Sequence, residues 1–590
     1  MSGRGGLGVA VRAAALVVLA ALPCLGSDAE RLHDLFAREW DARLREDPLF
    51  ATSVGVHDAN DRLPSMRMED LERRDRIWRG FLGELDSIDR AKLGDDDQIH
   101  LEIFRAQLED RIAAFRFGAY QIPLNADSGF HTQLAVLADN VPLRTAGDYE
   151  NYLARLEAFP RYVGEQIALM RIGLARGMTL PRVVLDGIEA TMDAHVVPNP
   201  EDGAFWAPFA SFPATLAPSA GPRLRERARR AIGEAVVPAF RELSRFMVEE
   251  YLPRARETLG ASQLPEGAAY YAQRIRHFTT LNVTPEEVHR IGLEEVERIR
   301  AEMQRIIDGV GFEGTFAEFL DHLRTDGRFY AKTPEALLKE AAWIAKRMDG
   351  KLPMLFGTLP RLPYTVEPVP DHLAPKYTAG RYVPAPMGST QPGRYWVNTY
   401  ALETRPLYNL EALSLHEAVP GHHLQGALGR EQEDLPNFRR YSYIDAFGEG
   451  WGLYAEWLGL EAGFYTEPYS NFGRLTYEMW RACRLVVDTG VHAMGWGRDR
   501  MMEYLASRTA LSLHEVRTET DRYISWPGQA LAYKMGELKI KELRRRAEAA
   551  LGERFDVRRF HDAVLLRGSV PLGVLEHRID LWIAREKDAG

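Results

Sequence analysis

Cysteine is almost missing: the 590-residue chain carries two, Cys24 and Cys483. The first lies in an N-terminal segment that reads as removable. That leaves one thiol and no internal disulfide, so the fold must be held by packing. Long apolar runs are missing as well. A membrane-spanning helix needs about 20 consecutive apolar residues, and no stretch beyond the N-terminus supplies them. There is also no excess of basic charge. Lysine and arginine number 74 against 84 acidic residues, a net charge of −10. General nucleic-acid binding, which rests on neutralising phosphates, is therefore disfavoured. The short run Arg544–Arg546 reads as a solvated helix face.

What is present is an ordinary globular composition, 46% hydrophobic and 27% charged, in a chain long enough to bury a large core. The first residues depart from it. Arg4 and Arg12 precede the apolar run Ala13–Leu22, and Cys24-Leu25-Gly26 follows. A positive start, a short apolar stretch and a small-residue exit describe a secretory signal peptide over residues 1–26. The expected product is an exported protein, periplasmic or secreted, with no membrane span. Lipid anchoring through Cys24 is the alternative, and Pro23 fits it poorly.

The remainder, 27–590, reads as one unit in two halves, 27–350 and 351–590. Apolar residues recur at helical spacing in Ala29–Leu44, in Asp97–Phe115 and over 148–176, where Asp148 is the expected cap. Thr284-Pro285-Glu286-Glu287 and Thr333-Pro334-Glu335 are helix starts, with threonine at the cap, proline in the first turn and acids near the positive end of the dipole. They predict helices to about Ile307 and Met348. Nine prolines between Pro353 and Pro392 exclude a long helix there. The runs Leu362–Val369 and Arg394–Thr399 predict strands, the second rich in aromatic and β-branched residues. Helical pattern returns from Leu407. The reading is mainly α, with a small sheet beside the richest motif region.

That region is Leu413-Ser414-Leu415-His416-Glu417-Ala418-Val419-Pro420-Gly421-His422-His423. In the usual zinc-peptidase helix two histidines one turn apart share a face, with a glutamate beside the first. Here the position one turn on is Pro420, which cannot bind metal and cannot sit quietly in a helix. A bulge at Pro420-Gly421 would carry His422 to the vacant place, while His423 lies near the right azimuth on a straight helix. Spacing leaves both open. Further on, Phe447-Gly448-Glu449-Gly450-Trp451-Gly452-Leu453-Tyr454-Ala455-Glu456 places Glu449 and Glu456 on one helix face. Gly450 and Gly452, costly inside a helix, predict close backbone approach. Trp451 and Tyr454 read as core residues. Two histidines and Glu449 make a set that suits zinc and leaves a position for water.

HEAVPGHHLQ with GEGWGLYAE resembles a bacterial family catalogued as domain of unknown function 885. GSTQPGRYWVNT, RLVVDTGVHAMGW and RYISWPGQALAYKMGELKI resemble the same family. The family is similar to the gluzincin zinc metallopeptidases, the thermolysin, neurolysin and angiotensin-converting-enzyme groups. The proline-interrupted histidine pair departs from the ordinary gluzincin pattern. The resemblance implies a large helical gluzincin-like fold and one catalytic unit whose cleft favours short peptides. It implies zinc as cofactor on His416, His422 and Glu449, with Glu417 as general base. It also implies an oxyanion donor, for which His492 and Tyr533 are the candidates. Arg484 and Lys534 are candidate partners for a peptide carboxylate. Asp445 and Asp488 are candidates to orient a ligand histidine. RYWVNT, which contains Tyr395, is the candidate edge strand for an extended peptide. The implied reaction is hydrolysis of peptide bonds. A zinc hydrolase of another amide or ester, and an exported metal-binding protein without activity, are the alternatives.

Overall fold

A serine three residues before a glutamate opens the first helix. In the computed structural model, which describes residues 27–126, 128–371, 373–385 and 391–588, Ser27 and Glu30 form a capping box at the start of α1 (Asp28–Glu46). The expected leader, Cys24 included, lies outside the described residues. α2 (Asp95–Arg116) follows its predicted span closely. The stretch 148–176 is two helices, not one: α3 (Ala146–Glu157) and α4 (Phe159–Arg176). Pro160 explains the break, because it cannot donate to the preceding turn. The cap is Thr145, and Asp148 is its reciprocal partner in a capping box. α5 (Pro285–Gly309) and α6 (Pro334–Asp349) begin at the predicted threonine caps.

The described chain is mainly helical, 69% helix and 4% strand. Its proline-rich segment forms a three-stranded sheet of β1 (Tyr364–Pro368), β2 (Gly380–Val383) and β3 (Gly393–Val397), in the order β1-β3-β2. β1 runs parallel to β3, and β2 runs antiparallel to it with Tyr382 opposite Tyr395. The RYWVNT strand is therefore the central one, not the edge. Its Val-Asn end is fixed by Asn398, whose amide donates to three carbonyls of the 374–378 turn.

The helices of the second half include α7 (Leu410–Glu417), α8 (His422–Arg430), α9 (Asp445–Leu458), α10 (Pro468–Ala493), α11 (Leu513–Ser525) and α12 (Ala532–Leu551). α10 is buried on every side from Phe472 to His492, and α5 of the first half packs along it. α9 packs along α12 at backbone contact. A side chain on Gly450 would come 2.5 Å from Gly536, and one on Gly536 would come 1.9 Å from the Ala446 carbonyl. One continuous core joins Leu32 in α1 to Ile583 near the C-terminus. No helix among the described residues is long and apolar enough to cross a membrane.

Candidate metal centre

The histidine segment is not a single bulged helix. α7 stops at Glu417, the backbone leaves helical geometry at Ala418, and α8 starts afresh at His422 after a cis Val419–Pro420 bond. Pro420 has no N–H for the His416 carbonyl, so the helical ladder ends there. The joint turns His422, the first residue of α8, toward His416, the penultimate residue of α7. Their rings stand 4.7 Å apart and nearly perpendicular.

α9 supplies the third donor. Glu449 Oε2 lies 3.5 Å from His416 Nε2 and 3.3 Å from His422 Nε2, and the three candidate donor atoms all fall within 4.8 Å of one another. Both separations are longer than the usual ~2.9–3.0 Å of an N–H···O bond. Ligand atoms on a tetrahedral zinc with bonds of about 2.0–2.2 Å stand roughly 3.3–3.6 Å apart. The two carboxylate–imidazole separations thus match those around a zinc ion, and the three residues could hold one. Burial pushes the Glu449 carboxyl up, but the two imidazoles outweigh it and hold it well below the usual range.

His416 is oriented from behind. Its Nδ1 meets Glu456 Oε1 at 2.8 Å, so Nε2 is left to face the centre. Burial works against its protonation, yet Glu449 and Glu456 raise its pKa to about 9. Arg481 reaches the same Glu456 oxygen at 3.6 Å. The expected orienters do something else. Asp488 is fully buried and accepts from the Tyr271 hydroxyl at 2.6 Å and the Gly528 N–H at 3.2 Å. Asp445 opens α9 with no ligand histidine as partner. The seven-residue spacing of Glu449 and Glu456 was the available signal. Gly452 completes the fit, since a side chain there would lie 2.5–2.9 Å from the His416 ring atoms.

Glu417 sits beside the donor set and is anchored by β2: its Oε2 accepts the Tyr382 N–H at 2.8 Å. Because Ala379 turns its carbonyl inward to Asn398 N, Tyr382, three residues on, turns outward. The outward side of β2 therefore faces Glu417, whereas RYWVNT, the central strand, offers no edge. Tyr533 of α12 is also at the site. Burial and then the Glu449 carboxylate raise its hydroxyl pKa. Two groups were not anticipated. Tyr443 donates to Glu449 Oε1 at 3.1 Å. Arg381, hydrogen-bonded to Tyr377, lies within the fields of Glu417 and Tyr533.

The remaining candidates are placed elsewhere. His423 is turned to the sheet, its Nε2 meeting the Leu362 carbonyl at 3.0 Å and its Nδ1 the Tyr382 hydroxyl at 3.2 Å. Burial lowers its pKa to about 4. His492 is spent as well: Nδ1 accepts the Ala261 N–H and Nε2 meets the Tyr523 carbonyl, each at 3.0 Å. With both ring nitrogens engaged it has no donor for an oxyanion. Tyr395 is fully buried against Ser414 and cannot touch a substrate. Lys534 is fully buried among Glu295, Glu478 and Glu537 at 2.7–2.9 Å, with no capacity left for a carboxylate. Arg484, 2% exposed, is bound to Tyr523 and Glu519. Its guanidinium lies 4.3 Å from the Tyr533 ring centre, so it supports that tyrosine and is not open to substrate. Trp451 and Tyr454 are core residues as read; Trp451 Nε1 also donates to the Pro420 carbonyl at 2.8 Å and so secures the joint.

Fold and site together define a mainly helical protein with a two-histidine, one-carboxylate donor set. The chain belongs to the family described as "Bacterial protein of unknown function (DUF885)", whose model matches residues 48–579. It is similar to the crystal structure of "the putative lipoprotein from Colwellia psychrerythraea", with TM-score 0.88, 27% identity, and 95% of this chain and all of that one covered. It also shares its fold with "a putative lipoprotein of unknown function from Shewanella oneidensis". There the TM-score is 0.67, the identity 16%, and the coverage 94% of this chain and 99% of that one. No curated protein matches.

Proposed function

We infer that the protein is an exported zinc metallopeptidase of gluzincin-like mechanism, acting on short peptides. The observation that carries this is the convergence of His416 Nε2, His422 Nε2 and Glu449 Oε2 with Glu417 beside them. Zinc bound there would polarise a carbonyl and make a water acidic near neutral pH. Glu417 takes the proton from the attacking water and delivers it to the leaving amine. Tyr533, on the same site, is the hydroxyl assigned to donate to the developing oxyanion. Glu456 holds His416 in the tautomer that keeps Nε2 free. An extended peptide adds to the outer edge of β2, alongside Glu417. The leader-like N-terminus and the two structural relatives described as lipoproteins support export.

The test is metal analysis of the purified protein, with mass-spectrometric profiling of a peptide mixture. We expect zinc near one per chain and cleavage of short peptides. Glu417→Gln should keep the metal and lose roughly 10²–10⁴-fold in kcat. Undiminished cleavage by that variant would overturn the assignment of the base.

A further inference from the structure

Successive side chains of a strand point to opposite faces. In β2, Tyr382 faces α8, where its hydroxyl meets His423 Nδ1 at 3.2 Å. Tyr395, opposite it in β3, faces α7, with its hydroxyl 3.2 Å from Ser414 Oγ. Arg381 and its cross-strand partner Trp396 therefore stand on the other face, away from both helices. Tyr377 is there too, its ring edge-on to Trp396 at 6.0 Å. Its carbonyl is held by the Asn398 amide at 3.0 Å.

Arg381 is exposed and stands one residue from the N–H that holds Glu417. Among the described residues three guanidiniums act on the Tyr533 hydroxyl: Arg381, Arg484 and Arg522. Two of them are engaged. Arg484 and Arg522 share Glu519 at 3.2 and 2.9 Å, and Arg522 also donates to Gln529 at 2.6 Å. Arg381 forms no ion pair among the described residues. Glu417 reaches it only through its field, and its bonded neighbour is the Tyr377 hydroxyl. Burial raises the Tyr377 pKa, so that hydroxyl keeps its proton at neutral pH. Its oxygen accepts from Arg381, and no described acceptor takes its hydrogen. A guanidinium with N–H groups left over, next to a phenol that can also donate, offers what a carboxylate binds. A charge that only guards a strand edge would need no phenol fixed beside it.

We propose that Arg381 and Tyr377 bind a carboxylate of the peptide substrate and so set which bond lies beside Glu417. A peptide extended along β2 advances about 3.4 Å per residue, which puts that carboxylate within a few residues of the cleaved bond. Its source is the C-terminus of the peptide or an acidic side chain near it. The choice of bond rests on the peptidase reading; the anchoring of a carboxylate does not.

Titration calorimetry tests this on the full chain carrying Glu417→Gln, with zinc present, so that turnover does not intrude. The probes are Ala-Ala-Leu-Ala-Ala as the free acid, the same peptide as its C-terminal amide, and that amide with glutamate at the fourth position. We expect the free acid, the glutamyl amide or both to bind about tenfold tighter than the plain amide. Preference for the free acid alone identifies the C-terminus; preference for the glutamyl amide alone identifies a side chain. Arg381→Gln should abolish the preference, and Arg381→Lys, which keeps the charge without the planar fork, should restore part of it. Tyr377→Phe should reduce it roughly threefold. Equal affinity for the three peptides, no binding of any, or a preference that survives Arg381→Gln refutes the proposal. Should Arg381→Gln fail to fold, the peptide comparison and Tyr377→Phe still decide it. Cleavage by the wild type is scored separately. Preference without cleavage leaves the carboxylate site standing and removes the peptidase reading; cleavage without preference does the reverse.

Discussion

Two clusters of buried charge lie on neighbouring helices and are built on opposite plans. At the junction of α7, α8 and α9, His416, His422 and Glu449 face each other at 3.3–3.5 Å, too far for good hydrogen bonds. Between α10, α12 and α5, Lys534 is pressed against three carboxylates at 2.7–2.9 Å, and Arg474 adds a further contact to Glu478 at 3.0 Å. The second cluster is complete as it stands. Each charge has its counter-charge, as burial in a low-dielectric interior requires. The first leaves its donors apart, at the spacing a bound metal would use on the proposed reading. Burial and charge are common to both; the distances between donors are what separate a structural cluster from a site.

The largest expected effect lies in the closed cluster. Lys534→Met leaves three carboxylates without their shared cation. It should cost about 3–5 kcal/mol of stability while the zinc content of folded protein stays unchanged. Chemical denaturation with parallel metal analysis checks both, and a loss of zinc without a loss of stability would erase the distinction between the clusters.

Next comes Asp488, a carboxylate on the same buried helix with no cation of its own. Burial raises it from 3.8 to about 7, against the Tyr271 and Gly528 hydrogen bonds. The unfolded chain ionises near 3.8 and the folded one near 7. Above pH 4 the unfolded state therefore binds fewer protons, and this residue's contribution to stability falls until about pH 7. The difference amounts to on the order of 4 kcal/mol. Asp488→Asn should flatten that slope. Stability curves of variant and wild type that stay parallel from pH 4 to pH 8 would count against it.

The smallest effect is at the open cluster. Glu456→Gln keeps the bond to His416 but removes its charge, and should weaken zinc binding about 10–100-fold with little change in fold. Competition with a chromophoric chelator reads this directly. Unaltered affinity would mean that Glu456 is packing alone.

Much of this was legible in the sequence. The threonine caps fixed the starts of α5 and α6, the prolines marked the sheet, and His416, Glu417 and Glu449 stood out by type and spacing. The choice between His422 and His423 was not legible, because it depends on how four residues, Ala418–Gly421, turn the chain. The helical period has no meaning across such a joint. α10 misled for a different reason. Arg484, Asp488 and His492 read as site candidates, and with Arg474, Glu478 and Arg481 they recur at helical spacing. The structure buries all six. Their partners come from α5, α9, α11, α12, the Ala261 turn, Tyr271 and Gly528, too far off in sequence for spacing to reveal. Arg381 had no signal at all, lying in a proline-rich stretch without periodicity.

The bond between Tyr382 N–H and Glu417 Oε2 has one more implication. A strand edge and a carboxylate share a single proton donor, so the carboxylate is latched to the sheet. An incoming chain that claims the N–H for its own carbonyl would unlatch Glu417 in the same movement. On the proposed reading, seating a peptide on β2 and releasing Glu417 would then be one event.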